Sequence, residues 1–364
     1  LELLLELQAL PEQVMVKWPE GEKYRVSSPR GFEQLHLTVA RQKDWFEASG
    51  ELRLEDEKVL DMLQLLEMLR HSPSRFIALG DGQFLALTQE FRRRLEELGR
   101  LTEKSGKKLR FHPLAAVALE DVLEQAGNLT TDKHWQKTIK RFHETENLVI
   151  EVPSTLQAEL RDYQIEGFKW LTRLSHWGAG ACLADDMGLG KTLQALAVIL
   201  TRAAQGSTLV IAPTSVCLNW ISEAERFAPT LRIRQLGSGD RQKLVKDLQP
   251  FDLLICSYGL LQQEDVIQLL AKVQWETIIL DEAQAIKNFA TKRSQAAMEL
   301  KGNFKVITTG TPVENHLGEL WSLFSVVAPS VFGTWQQFRK NYAGPIESEN
   351  NEERRLSLRG RIKP

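Results

Sequence analysis

The rhythm of hydrophobic and polar positions changes near residue 150. After Glu151-Val152-Pro153, short apolar runs (ACLA, TLVIAP, DLLICS, TIIL, KVITTG) alternate with stretches of helical periodicity. Runs of strand length without polar alternation are buried on both faces, so this pattern predicts βα units and a parallel sheet covered by helices. Before it, from about Lys17 to Gly127, strand-like runs mix with amphipathic helices. Val59, Met62, Leu63, Leu66 and Leu69 recur at helical spacing, and RFIALGDGQFLAL reads as two strands around an Asp-Gly turn. A small α+β domain is expected there, and no repeat period breaks it up. The boundaries expected are 1–150 for this accessory domain, 151–345 for the α/β lobe and 346–364 for a polar tail. Within the tail, ESENNEERR reads as a linker or an exposed helix.

A helix is predicted near Asp132 to His143, with Trp135, Ile139 and Phe142 on one face and Lys133, Lys137, Lys140 and Arg141 opposite. The basic face and the cluster Arg100, Lys104, Lys107, Lys108 and Arg110 could touch phosphates, but a solvated face over a core is the plainer reading. The 364 residues carry 43% hydrophobic and 26% charged residues, which fits globular material of two domains. The formal charge of -2 gives no global signature of nucleic-acid binding, so such contact has to come from local patches. The opening LELLLELQAL contains Glu2 and Glu6 and is too short to span a bilayer, so no membrane partner is expected. It starts without Met, which suggests a fragment. Cys182, Cys217 and Cys256 lack metal or redox spacing and read as buried free thiols of a reducing, cytoplasmic compartment.

Candidate chemistry concentrates in the lobe. DDMGLGKT, from Asp185 to Thr192, lies between a strand-like run and a helical pattern led by Leu193, Leu196, Ala197 and Leu200. Gly188 and Gly190 let a loop turn its N–H groups toward phosphate, Lys191 neutralises phosphate charge, and the Thr192 hydroxyl suits Mg²⁺. Asp185 stands where the strict phosphate loop has glycine. In WETIILDEAQ, Asp281 and Glu282 end an apolar strand, where Asp281 can reach a Mg²⁺ shell and Glu282 can deprotonate water.

Six ordered segments together resemble the Swi/Snf family of superfamily-two DNA-dependent ATPases: LRDYQIEGFKWL, DDMGLGKTLQ, LVIAPTSVCLNWISEAERF, DLLICSYGLL, LDEAQAIKN and TTGTPVENHLGELWSLFSVVAP. The resemblance implies an α/β fold, a RecA-like P-loop lobe with a parallel sheet and flanking helices. It implies ATP and Mg²⁺ as cofactors, with Gln164 against adenine and Asp185, Asp186, Met187, Gly188, Leu189, Gly190, Lys191 and Thr192 around the phosphates. Thr192 and Asp281 would serve the metal, and Glu282, Asp281 and Lys191 the catalysis. Gln284, Thr309, Gly310 and Thr311 would couple nucleotide state to movement, while Thr214, Ser215, Ser257 and Tyr258 would face the DNA backbone.

Asp186 replaces a Glu common in the family, and Gln284 a His; the latter is typical of bacterial members. QKDWFEASGELRL is similar to an accessory domain of that bacterial branch. The implied function is the ATP-binding half of a DNA-stimulated ATPase that translocates on double-stranded DNA and remodels DNA-bound protein, monomeric and nucleoid-associated. Family members carry a second lobe with an arginine finger, which these residues do not supply, so little hydrolysis is expected from them alone. A protein-directed regulatory switch and a scaffold with a decayed site are the alternatives.

Overall fold

The computed structural model describes residues 1–8, 10, 18, 23–43, 45–54, 59–72, 74–329 and 331–362. They form two units, Leu1–Lys140 with Arg359–Pro364, and Arg141–Leu358.

In the first unit, Leu35–Gln42 and Trp45–Arg53 pair antiparallel, and their burial alternates residue by residue. One face of the pleat therefore supplies a core of Leu35, Leu37, Val39, Phe46, Ala48 and Leu52. Asn128–Thr131 adds parallel to the first strand, while Val59–Asp61 and Lys108–Phe111 add antiparallel to the second. The Asp-Gly turn forms as expected between Phe76–Gly80 and Gln83–Ala86. Asp81 (φ 48°) and Gly82 (φ 68°) both take the left-handed backbone that a two-residue hairpin turn with right-handed strands demands. One expectation shifts: the helix begins at Met62, because the Asp61 carboxylate caps it by accepting from Leu63 N at 2.7 Å, and Val59 lies in a strand.

Three residues of the basic cluster are paired within their own domain. Lys104 pairs with Glu67, Lys108 with Glu47 at 3.1 Å and Arg110 with Glu103 at 3.2 Å; the Arg110 guanidinium also lies 4.6 Å from the Trp45 ring. The Arg100 side chain lies outside the described positions. The expected amphipathic helix is Lys133–Glu146, with Trp135 against Phe46 and Phe111 at ring distances of 5.4 and 5.9 Å.

The second unit is built on six parallel strands: β1 (Ala181–Leu183), β2 (Thr208–Ala212), β3 (Arg232–Gln235), β4 (Asp252–Ser257), β5 (Gln274–Leu280) and β6 (Lys301–Thr308). Their order is β1-β6-β5-β2-β4-β3, every ladder parallel. The central strands are buried along nearly their whole length, as their unbroken apolar runs require. β3 was not anticipated, because an edge strand reading RIRQ has no apolar run to reveal it.

The helices that matter below are α1 (Asp162–Trp177), α2 (Lys191–Arg202), α3 (Thr214–Phe227), α4 (Tyr258–Leu261) and α5 (Leu317–Val327). Because all strands run one way, the segments after β1, β2, β4, β5 and β6 gather at one edge of the sheet. The polar tail is helical over Gly344–Glu349 and Glu352–Ile362. Among the described residues, no helix is long and apolar enough to cross a membrane.

All three cysteines are free. Burial pushes the Cys182 and Cys256 thiols up to about 12, and burial raises Cys217 as well.

Candidate functional site

The phosphate loop runs from β1 into α2. Gly188 (φ 83°) and Gly190 (φ 74°) take left-handed backbone, and Gly190 is the cap of α2 without contributing a side-chain acceptor. Among the described residues, the N–H groups of Gly188 to Thr192 have no acceptor in the chain. A run of uncompensated donors at a helix start is a cradle for an oxyanion, so the loop fits a phosphate chain even with Asp185 at its head. Lys191 is buried, and its ammonium closes the loop on itself by donating to Asp185 O at 2.8 Å and Asp186 O at 3.0 Å. Those are carbonyl acceptors, which a phosphate oxygen outcompetes for an ammonium proton. The half-buried Thr192 is placed on the first turn beside it.

Gln164 enters the loop from α1, but not as a free amide. Its Oε1 accepts from Arg161 N at 3.0 Å and its Nε2 donates to Leu189 O at 3.1 Å, so it ties α1 to the loop. One N–H and one lone pair are left for a base. Gln194, on α2 and fully buried, holds the Asp185 carboxylate from Nε2 at 3.3 Å, while its Oε1 has no partner. Sequence reasoning missed Gln194; its signal was a polar residue within the apolar face of α2.

The acid pair follows β5. Asp281, 7% exposed, accepts Glu282 N at 3.0 Å and the Thr308 hydroxyl on Oδ1, and Trp220 Nε1 at 2.8 Å on Oδ2. Three donors hold the carboxylate in one orientation. Glu282 sits at φ 49° and ψ 56°, a left-handed backbone that is costly for a residue with a Cβ. Gln284 Nε2 fixes its carboxylate by donating to Glu282 Oε2 at 2.7 Å.

The segment after β6 joins both parts. Thr309 N donates to Leu183 O at 3.1 Å, next to the phosphate loop, and Thr309 Oγ1 stands 3.5 Å from Gln284 Oε1, next to the acid pair. Gly310 passes so near the loop that a Cβ there would meet Met187 Cγ at 2.9 Å. Thr311 N donates to Thr309 Oγ1 at 3.2 Å, and its hydroxyl lies 3.4 Å from Lys287. Lys287, which the sequence reading did not single out, is buried between Glu314 at 3.2 Å and Glu319 at 3.3 Å. Burial alone would raise the Glu319 carboxyl, but Glu314 N–H, the Asn315 amide and Lys287 together hold it below the usual range.

The candidate DNA contacts divide. Thr214 and Ser215 are exposed on the first turn of α3, which follows Pro213 and carries no side-chain cap. Ser257 Oγ accepts Leu260 N at 3.2 Å and so caps α4. Tyr258 corrects the expectation. It is 3% exposed and its hydroxyl is buried without a partner, so it cannot face a DNA backbone. The apolar ring turns inward at the first position of α4, and burial, then the charges of Asp281 and Glu282, raise its hydroxyl well above the ordinary value.

Residues 163–364 match the SNF2-related domain family. An ATP-dependent helicase/translocase of Bacillus subtilis, YwqA, is 33% identical over 363 residues, covering 93% of this chain and 38% of that protein. A chromatin-remodeling ATPase of Cryptococcus neoformans, INO80, is 34% identical over 235 residues, 60% of this chain and 13% of that protein. The SWI2/SNF2 ATPase core of Sulfolobus solfataricus, solved in complex with dsDNA, is 38% identical with a TM-score of 0.54, covering 59% of this chain and 46% of that one. The chain thus spans less than half the length of each of these relatives. On the extent of these matches, it belongs to the SNF2-related family.

Proposed function

We propose that this chain is the ATP-binding half of a DNA-stimulated ATPase that moves along duplex DNA and remodels protein bound to it. The observation that carries the reading is the unpaired run of N–H groups from Gly188 to Thr192, brought to the same sheet edge as the carboxylates of Asp281 and Glu282. Donors for phosphate and acids for metal and water are the two halves of a phosphoryl-transfer site.

In this reading the loop N–H groups hold the β- and γ-phosphates, and Lys191 exchanges the carbonyls of Asp185 and Asp186 for phosphate oxygens. Thr192 and Asp281 would hold Mg²⁺, which would supply positive charge against the phosphates. Glu282, oriented by Gln284, takes the proton of the attacking water. Gln164 contacts adenine with its remaining donor and acceptor. Thr309, Gly310 and Thr311 span the loop and the acid pair, so they pass a change at the γ-phosphate onward.

The duplex is carried over from the archaeal relative solved with dsDNA. Thr214 and Ser215 would receive its backbone through hydroxyls and helix-start N–H groups, contacts that position without reading sequence. Since an arginine from a second lobe completes such sites, these residues alone hydrolyse ATP slowly. A monomer associated with the cytoplasmic nucleoid fits this work. Phosphate release by the full-length protein, with and without duplex DNA and with Lys191→Ala as blank, tests the proposal. Strong stimulation by duplex is expected; hydrolysis indifferent to DNA would overturn it in favour of a protein-directed switch.

A further inference from the structure

Asp281 is held asymmetrically. Its Oδ1 takes donors from its own turn and the neighbouring strand, Glu282 N and the Thr308 hydroxyl. Its Oδ2 takes one donor among the described residues, the indole N–H of Trp220 at 2.8 Å, and Trp220 belongs to α3. An indole nitrogen donates and cannot accept, so this bond has one polarity and one acceptor. The ring is 1% exposed, so it cannot swing aside when the helix moves.

The same face of α3 lies near the acid from Cys217 to Glu223. Cys217, one turn before Trp220, is buried against Ala212 O at the end of β2. One turn after it, burial and then the charge of Asp281 raise the Glu223 carboxyl. Thr214 and Ser215 begin this helix, and six residues of α-helix separate Thr214 from Trp220 by about 9 Å. A helix is stiff over that distance, so a shift or tilt imposed on its first turn reaches the indole N–H.

We infer that Trp220 is the positioning residue through which α3 sets the Oδ2 oxygen of Asp281, so that gripping duplex DNA at the head of α3 aligns the metal-facing carboxylate. The inference rests on the proposed DNA-stimulated activity. It adds a direct route from one contact segment to the hydrolytic site, separate from the Thr309–Thr311 segment.

The test compares two substitutions on one carboxylate in the full-length protein. Trp220→Phe keeps an aromatic ring and removes the N–H; Thr308→Val keeps the volume and removes the donor from the sheet side. Both lower turnover. Trp220→Phe is expected to cut the ratio of duplex-stimulated to basal phosphate release by about tenfold, the scale of one hydrogen bond to a charged group, and Thr308→Val to leave the ratio within about twofold. An equal fall in the ratio for both, or none for Trp220→Phe, overturns the inference while wild-type stimulation leaves the proposed function standing. Absence of stimulation in the wild type overturns both.

Should Trp220→Phe fail to fold, the indole N–H resonance of Trp220 in the unsubstituted protein decides. It is expected to shift when duplex binds without nucleotide, and an unmoved resonance overturns the route.

Discussion

The two edges of the parallel sheet are made from the same strands and treat polar groups in opposite ways. At the edge where the strands begin, Arg202 and Glu276 are buried together, and their bonding is closed. The guanidinium also donates to Thr277 Oγ1 at 3.1 Å and lies 5.4 Å from the Phe304 ring, while Asn303 Nδ2 donates to Glu276 Oε2 at 2.6 Å. At the edge where the strands end, donors from Gly188 to Thr192 are unspent and Glu282 occupies a strained backbone. A buried network satisfied from within holds a fold in one arrangement, whereas groups left with open valences are arranged for something that arrives.

This contrast is breakable from both sides. The largest effect expected is on turnover at the open edge: Glu282→Gln should lower phosphate release by the full-length protein roughly 10²–10⁴-fold while nucleotide still binds. Retained turnover would remove Glu282 from the chemistry. At the closed edge, Glu276→Ala leaves Arg202 buried without its counter-charge and should cost about 3–5 kcal/mol in denaturant unfolding. Its nucleotide affinity under folding conditions should be unchanged; a loss there would mean the edges are not separate in purpose.

A smaller effect is expected at Gly190, where φ is 74° and a Cβ would stand 2.3 Å from Gln164 Nε2. Gly190→Ala should cost about 1–3 kcal/mol of stability and weaken nucleotide binding, readable by melting and titration. At neutral pH Cys256 should give the smallest effect, because its contribution changes only at high pH. Burial holds its thiol at about 12 against an ordinary 9.0, so the neutral thiol contributes stability that is full below pH 9 and lost as pH rises toward 12. The unfolding midpoint should fall across that window, and less so in Cys256→Ala.

How much of this was legible beforehand follows the same division. Unbroken runs such as TLVIAP and DLLICS are dictated by strands buried on both faces, so most of the sheet could be read from the pattern alone. DDMGLGKT was legible as a turn into a helix because Gly188 and Gly190 take left-handed backbone, and LDEAQ because it ends an apolar strand. The partners of those residues were not. That Trp220 donates to Asp281, or that Lys287 lies between Glu314 and Glu319, depends on elements that meet only after the crossovers are made. Tyr258 shows the limit from the other side: an apolar ring with a polar tip fits solvent and core equally well in a sequence, and tertiary packing chose the core.

The most direct test of the open edge is an equilibrium titration of the protein with ATP and Mg²⁺, comparing wild type, Lys191→Ala and Glu276→Ala. The account predicts saturable binding in the wild type, its loss by at least about tenfold in Lys191→Ala, and no change in folded Glu276→Ala. Equal binding by Lys191→Ala and the wild type would contradict it, because the nucleotide would then be held somewhere other than the loop before α2.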